Sequence, residues 1–548
     1  MPATTQTAPH LDRARSGFGS PAWLAAAATL EEPPAGHDTV ALRLVVTVTT
    51  TDATTDEALG AAELDLRVDL DGGRLAVRPA TGPEPGLVVR APAAAAAALL
   101  FGPSAARVGL TERGDVTIEG NFSLLFFIDS ALEEDRAGHL GFLRRAAGFA
   151  APAPASAPPP TFGPEVASER SEEAARLGRA REVLPRTLAE LDREVGSSTP
   201  GAQLYVSQDC HTLVDVGLGL ARPGVEMTHH SWALWYCCAK PLLSVALAQL
   251  ADRGLFDPHR PVGDYLPEFA SGGKDTITSA QLLTHTGPVP TGADPLHGVL
   301  AADDAERHRR AYGLRLLPSG RPAGCAINYS QWWAWYVLAG LVAAIDGRDY
   351  EQYVESEILA PAGMDHTRLR LTPEEFDAVG DRLPLIHVVN TSGPPVPTEW
   401  WSTRAAATAL IPGVNTRGPV RDQGRFLEVL LAGGRVLGGS PVLSERGVGE
   451  ITGRHRTGLQ DKFGNADWGL GLRLECNQLG EEFTSFSHHA SPRAFGHEGL
   501  WTAVCFADPE AGLAVAVHLN GKVEHPRHRD RILRIGDAVY ADLGLAAS

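Results

Sequence analysis

Few features of this sequence favour an exported or membrane-bound protein. Six cysteines are spread over 548 residues and two of them are adjacent, so no disulfide framework is indicated and we expect reduced thiols. No window approaches the roughly 20 uninterrupted apolar residues of a membrane-spanning helix, and no basic start followed by an apolar core opens the chain. We therefore expect a cytoplasmic protein that does not insert into membranes.

Basic residues are also in deficit. The chain has 48 Lys and Arg against 66 Asp and Glu, which gives a formal net charge of −18. This charge repels phosphate backbones and anionic lipid surfaces, so nucleic acid is excluded as an expected partner. The length allows two or three domains, each with its own core.

The clearest boundary is a segment dense in Pro and Ala, "GFAAPAPASAPPPTFGPEVASERSEE". Its composition predicts a semi-rigid linker over residues 149–172. The linker divides the chain into an N-terminal extension (1–36), a small domain (37–148) and a large domain (173–548).

The small domain has a mixed pattern. "TVALRLVVTVTTTD", "AELDLRVDLDGG" and "RLAVRPA" alternate as strands do, and an Ala-rich helical run and "VTIEGNFSLLFFI" follow them. This order resembles the sterol-carrier-protein-like lipid-binding domains. The resemblance implies a small α+β domain whose sheet and helices enclose an apolar tunnel for a hydrophobic ligand. A scaffold with a filled core is the open alternative, and we assign no binding residue there.

The large domain begins with an amphipathic pattern over 171–197, which predicts one helix, and continues with a predicted hairpin over 202–221. Next comes "YCCAKPLLSVALAQLADRG". Pro241 is tolerated only in a first turn, so the helix must begin near Cys237 and end by Gly254. A helix N-terminus and a nearby ammonium both favour a thiolate, and Lys240 lies one turn after Cys237 on the same face.

These segments, with "ITSAQLLTHTG" downstream, resemble class C β-lactamases, family VIII esterases and penicillin-binding-protein-like enzymes over about residues 198–545. The resemblance implies an α/β fold with an antiparallel sheet flanked by helices, plus a helical lobe. Family members carry Ser-x-x-Lys, and here Cys237 occupies the position of the nucleophilic serine, while Cys238 is the next residue. The alternative is a site that has lost its activity.

The second family motif is Tyr-x-Asn, matched by Tyr329-Ser330-Gln331. The resemblance implies that Tyr329 shuttles a proton beside Lys240, as part of a helical lobe. Gln331 replaces the Asn, which puts the polar contact to substrate at that position in question. The alternative for Tyr329 is a hydroxyl that only caps a loop.

The third family motif is matched by His497-Glu498-Gly499, which we expect to open an edge strand where Gly499 lets a substrate backbone approach. By the family's geometry, the backbone N–H groups of Cys237 and Leu500 form the oxyanion hole. His497 belongs to the predicted catalytic set. Glu498 places a charged residue at the middle position of the family motif, and we expect it to bind a substrate amine.

Other candidate residues carry weaker signals. Two pairs of adjacent histidines, 229–230 and 488–489, are expected to point to opposite faces of a strand, so we predict no metal site and no cofactor. We expect a group of tryptophans in the core or along the cleft, where their rings would exclude water: Trp332, Trp333, Trp335, Trp400 and Trp401.

Replacement of serine by cysteine favours one chemistry. A thiol ionises more easily than a hydroxyl, and the resulting thioester is prone to attack by amines. We therefore expect an acyltransferase or amide-bond-forming enzyme of specialised metabolism that acts through a Cys237 thioester, with a small-molecule donor, apolar or carried on a protein, and an amine or water acceptor. A hydrolase with the same site and a non-catalytic ligand-binding protein are the alternatives.

Overall fold

The computed structural model describes residues 172–289, 303–314, 323–389, 395–398, 400–459 and 467–546, with the backbone of five earlier strands and of a helix from residue 164. The chain forms two compact units. The smaller unit includes Met1–Pro158, and the larger unit includes Pro159–Thr291, Asp303–Val389 and Pro395–Ser548.

The smaller unit contains a five-stranded sheet in the order β3-β2-β1-β4-β5. Its strands are β1 (Thr39–Thr49), β2 (Ala58–Asp69), β3 (Leu75–Pro79), β4 (Leu87–Pro92) and β5 (Thr117–Gly120). β1 is antiparallel to β2 and parallel to β4. These strands coincide with the alternating segments, whereas the expected helices lie outside the described residues. The sterol-carrier-like assignment and the domain boundaries therefore stay predictions.

The larger unit is built from the following elements. Its strands are β6 (Gly201–Gln208), β7 (His211–Arg222), β8 (Val225–Glu226), β9 (Ala233–Leu234), β10 (Ile386–Val388), β11 (Val396–Thr398), β12 (Arg417–Gly418), β13 (Arg473–Leu474), β14 (Phe495–Gly499), β15 (Ala503–Asp508), β16 (Leu513–Leu519) and β17 (Gly521–Lys522). Its helices are α1 (Pro164–Val183), α2 (Pro185–Val195), α3 (Lys240–Asp252), α4 (Ser279–Leu283), α5 (Asp304–Gly313), α6 (Trp333–Asp346), α7 (Tyr350–Val354), α8 (Pro373–Val379), α9 (Arg404–Thr408), α10 (Val420–Leu431), α11 (Glu445–Thr452) and α12 (His525–Asp542).

The single helix predicted over 171–197 is wrong, because the chain forms α1 and α2 instead. The break falls at Leu184, whose φ of −126° and ψ of 61° are not helical. Pro185 follows directly, and a proline excludes the residue before it from the helical region. α1 begins at Pro164, inside the segment whose composition predicts a linker.

A seven-stranded antiparallel sheet organises the larger unit, in the order β13-β14-β15-β16-β6-β7-β8. The family resemblance predicted this antiparallel sheet, and the hairpin of β6 and β7 is present with a bulge after Val206. On one face, Leu204 and Val206 pack in a core with α2 and α12. On the other face, Tyr205 packs against Gly424 of α10 and donates to Glu428 at 2.6 Å. Helices therefore cover both faces of the sheet.

The helical part lies between β9 and β13 in sequence and supports the candidate site. α3 is buried along nearly its whole length, and α6 is apolar all round and buried from Trp333 to Val342. A helix buried on every side needs no polar face. Two short sheets join this part, β11-β10-β17 and β12-β9. Within the described residues, we find no helix that combines the length and apolarity needed to span a bilayer.

Candidate active site

The two adjacent cysteines lie in one 3₁₀ turn, Tyr236–Ala239, that leads directly into α3. Tyr236 has a φ of +48°, so the chain turns sharply just before Cys237. Cys237 is half-buried, whereas Cys238 is buried and donates its thiol to the His497 carbonyl at 3.4 Å. Burial, with Cys505 as a further cause, raises the pKa of the Cys238 thiol well above its usual range. Of the pair, Cys237 is therefore the sulfur open to a ligand.

Lys240 is fully buried beside this turn. Its Nζ donates to Cys237 Sγ at 3.4 Å, to the Gln331 carbonyl at 2.9 Å and to the Gly413 carbonyl at 3.0 Å. It also lies 4.7 Å from the ring centroid of Trp335. Burial lowers the pKa of Lys240, and the Cys237 sulfur opposes that shift. Three acceptors around one nitrogen match the three N–H donors of an ammonium.

Tyr329 lies in the loop before α6, close enough to Cys237 for that sulfur to contribute to the raised pKa of its phenol. Its ring stacks on the buried His285 with centroids 4.0 Å apart, and Lys240 Nζ lies 5.8 Å from its centroid. The backbone N–H of Ser330 donates to His285 Nδ1 at 3.2 Å, which fixes the loop against the ring. Desolvation raises the pKa of Tyr329, and Cys237 adds to the shift, so the phenol is protonated at neutral pH. The structure thus brings Cys237, Lys240 and Tyr329 together.

Gln331 contributes to the site through its backbone, because its carbonyl accepts from Lys240. The predicted contact of its side chain with substrate stays a prediction.

His497 of β14 faces the same site. It is 2% exposed, and burial, then the Lys240 charge, lower its pKa to about 3, so the imidazole is neutral at physiological pH. Its ring lies 5.4 Å from that of Trp468, and its Nε2 has no hydrogen-bond partner among the described atoms. The predicted edge position needs correction: Gly496 and Phe495 pair with β13, so only the end of β14 from His497 onward is open on that side.

Glu498, the next residue, points to the opposite face of β14. Its carboxylate pairs with Arg473 and lies 3.4 Å from His528 Nε2. A substrate amine would therefore compete with Arg473, and the predicted amine contact stays a prediction.

The end of β14 lies against the cysteine turn. A Cβ at Gly499 would come within 2.5 Å of the Trp235 carbonyl, so the close approach at this glycine is made by the protein's own backbone. Leu500 and Trp501 follow with φ of +29° and +59°. Among the hydrogen bonds of the described residues, neither the Cys237 nor the Leu500 backbone N–H has an acceptor. The oxyanion-hole role of these two groups stays a prediction.

Three residues of the site were missed from the sequence: His285, Gly413 and Trp468. His285 lies in "THTG", and Gly413 lies in "IPGVN", but nothing in either motif indicates which side chain it contacts. Trp468 packs edge-on against His285 with centroids 5.0 Å apart. Because all three reach the site from separate loops, spacing along the chain gives no signal for them.

The histidine pairs and the tryptophan group can now be placed. His229 and His230 lie in a turn with ring centroids 3.9 Å apart. His488 and His489 also lie in a turn, so the predicted strand geometry is wrong for both pairs. His229 binds the buried Glu173 at 2.5 Å. The described members of this tryptophan group are core residues, at most 5% exposed: Trp332, Trp333, Trp335 and Trp401.

Together, the antiparallel sheet, the buried helix α3 and the Cys-x-x-Lys turn facing a tyrosine loop define the α/β class of serine β-lactamases and penicillin-binding proteins. Residues 186–540 match the model of the Beta-lactamase family, and the chain belongs to this family.

Relatives of this chain include bacterial proteins of several kinds. The putative penicillin-binding protein PbpX of Bacillus subtilis (strain 168) is 34% identical over 146 residues, but the match covers 26% of this chain and only 35% of PbpX. The esterase/beta-lactamase LipL of Mycobacterium tuberculosis (strain ATCC 25618 / H37Rv) is 25% identical over 58% of this chain and 76% of LipL. The solved structure of "EstCE1, a hydrolase with promiscuous acyltransferase activity" is similar in fold, with a TM-score of 0.54, 17% identity, and coverage of 66% of this chain and 99% of EstCE1.

Proposed function

We propose that this protein is an enzyme that forms an acyl thioester on Cys237 and transfers the acyl group to an amine. One observation carries the proposal: Lys240 Nζ lies 3.4 Å from Cys237 Sγ and is held there by two backbone carbonyls. An ammonium fixed beside a sulfur at a helix start stabilises the thiolate, which is the attacking form of cysteine.

In the first step, the Cys237 sulfur attacks the acyl carbonyl of the donor and an S–C bond forms. The carbonyl oxygen gains negative charge, which the N–H groups of Cys237 and Leu500 stabilise. The bond to the leaving group then breaks, and the leaving group takes a proton from Tyr329. Because the pKa of Tyr329 is raised, its neutral hydroxyl is a proton donor first and becomes a base only after this transfer.

In the second step, the amine attacks the thioester carbonyl. The C–S bond breaks and regenerates the sulfur anion, and the amine proton passes to Tyr329. A thioester reacts with amines more readily than an oxygen ester does, so cysteine favours transfer. The buried rings of Trp335 and Trp468 and the neutral His497 limit the water around the site. The donor we propose is a small-molecule acyl compound, apolar or delivered on a carrier protein.

Hydrolysis by the same site is the second candidate function. It is supported by the names of relatives, since LipL is an esterase/beta-lactamase and EstCE1 is a hydrolase with promiscuous acyltransferase activity. Both functions need the same Cys237 acyl-enzyme and differ only in whether an amine or water attacks it.

The proposal is tested by product analysis of the purified chain with an activated ester or thioester, with and without an amine. Cys237→Ala should lower turnover by at least about 10³-fold. Cys238→Ala is the matched control and should retain most of the turnover, because that thiol is buried and bonds the backbone carbonyl of His497, which alanine leaves in place.

Cys237→Ser separates the two functions. A serine ester should reduce transfer to the amine more than it reduces hydrolysis of the activated ester. Wild-type turnover in Cys237→Ala would contradict the acyl-enzyme and favour a ligand-binding role, and undiminished amine transfer in Cys237→Ser would contradict the thioester argument.

A further inference from the structure

Two histidines and a glutamate meet on the surface outside the candidate active site. His259 Nε2 lies 3.8 Å from Glu450 Oε1, and His455 Nε2 lies 3.7 Å from the same oxygen. The three ligating atoms all lie within 4.8 Å of one another. Spacing along the chain does not indicate this cluster, because Glu450 is on α11, His455 follows it and His259 comes from the loop after α3.

We propose that His259, Glu450 and His455 form a binding site for a divalent transition-metal ion, with zinc the preferred ion. Two imidazoles and one carboxylate favour zinc over magnesium or calcium, which take oxygen ligands. Metal–ligand bonds of about 2.0–2.2 Å require ligand atoms about 3.3–3.6 Å apart in a tetrahedron. The observed separations need only small side-chain rotations at the exposed His259 and Glu450 and at the half-buried His455. The ion replaces the 2.8 Å hydrogen bond between His455 Nε2 and the Glu450 carbonyl.

The backbones that carry the ligands are already fixed. Pro258 accepts a hydrogen bond from the Ala280 N–H, which holds the loop of His259. The His455 N–H donates to the Trp468 carbonyl at 2.9 Å. The ion would therefore link two anchored segments, and little chain ordering would oppose its binding.

An adjoining cavity supplies a second observation. It has a volume of about 240 Å³ and is lined by residues of α3 and by both His259 and Glu450. Ser244 also lines it, is 1% exposed, and has no hydrogen-bond partner for its hydroxyl among the described atoms. Three protein ligands leave a fourth position on zinc for water or another small ligand. The cavity offers space for such a ligand.

The test measures zinc bound at equilibrium by the metal-free full-length chain carrying Cys237→Ala, which removes a competing thiolate. This protein should bind one zinc equivalent more than the same protein with His259→Ala and His455→Ala. Replacing either histidine alone should weaken binding by about 10–100-fold or more, the loss seen even for residues that only support a ligand. Cobalt should give the absorption of a four-coordinate ion in the parent and not in the double variant.

His488→Ala is the matched control, because His488 is another surface histidine between two carboxylates but uses both ring nitrogens on them. It should leave zinc binding unchanged. Circular dichroism without metal checks that the variants are folded. Equal zinc stoichiometry in the parent and the double variant, or no zinc bound by the parent, would overturn the proposal.

Discussion

Gly413→Ala tests whether the position of Lys240 depends on a loop far away in sequence. Gly413 has a φ of +72°, and its carbonyl accepts from Lys240 Nζ. A Cβ added there would lie 2.9 Å from Lys240 Cγ and 3.2 Å from the Trp335 ring. Alanine at this position must therefore strain the backbone and push the lysine.

Gly254 provides a control with the same backbone angle. It also has a φ of +72°, but an added Cβ would meet nothing within 4 Å. Gly254→Ala should lower the free energy of unfolding by about 1–2 kcal/mol, the cost of a left-handed alanine. Gly413→Ala adds overpacking of about 1–3 kcal/mol, for a total of about 2–5 kcal/mol.

The two variants should differ more in chemistry than in stability. A displacement of about 1 Å at a reacting group costs about 10²-fold in rate, so Gly413→Ala should acylate Cys237 about 100-fold more slowly. Gly254→Ala should react at the parental rate. Stability is measured by urea unfolding and acylation by intact-mass spectrometry over time. Parental acylation by Gly413→Ala, or equal losses of stability in both variants, would refute the role of the Gly413 loop.

Two further predictions concern hydrogen bonds between carboxylates and histidines outside the site. Glu173→Ala should lower the free energy of unfolding by about 1–3 kcal/mol, since it leaves the buried Gly217 N–H and His229 ring without their acceptor, and urea unfolding at pH 7 measures this. Hydrogen bonding to Glu481, then to Asp537, raises the pKa of His488 against partial burial. Its stabilisation should be complete below about pH 6.5 and lost as pH rises through the higher folded pKa, with a size under about 1 kcal/mol because the pair is exposed. The free energy of unfolding of His488→Ala, measured by urea unfolding, should thus be lower than that of the parent at pH 5.5 and equal to it at pH 9.

Local patterns predicted the parts of the site that lie close together in sequence. Pro241 and the Cys-x-x-Lys spacing placed the helix start and the lysine correctly, because one helical turn fixes their relation. Strand alternation located β6 and β7, because side chains two residues apart along a strand face the same side. The apolar pattern alone does not show the break at Leu184, since the spacing of apolar residues continues across it.

Tertiary contacts explain what the sequence could not predict. The acceptors of Lys240 come from Gln331 and Gly413, 91 and 173 residues away. The stack of His285 on Tyr329 and the pairing of Glu498 with Arg473 likewise join separate loops and strands. No spacing rule relates such positions, so only the folded chain shows them.

Both steps of the proposed reaction require that Cys237 carries the acyl group. The most direct measurement is to quench the full-length chain during turnover of a thioester donor and to locate the adduct by peptide fragmentation. We expect one acyl group on Cys237, removed by added amine to give the amide, and none on the buried Cys238 or on the exposed Cys325. An adduct that forms equally in Cys237→Ala, or turnover with no acylated cysteine, would contradict it.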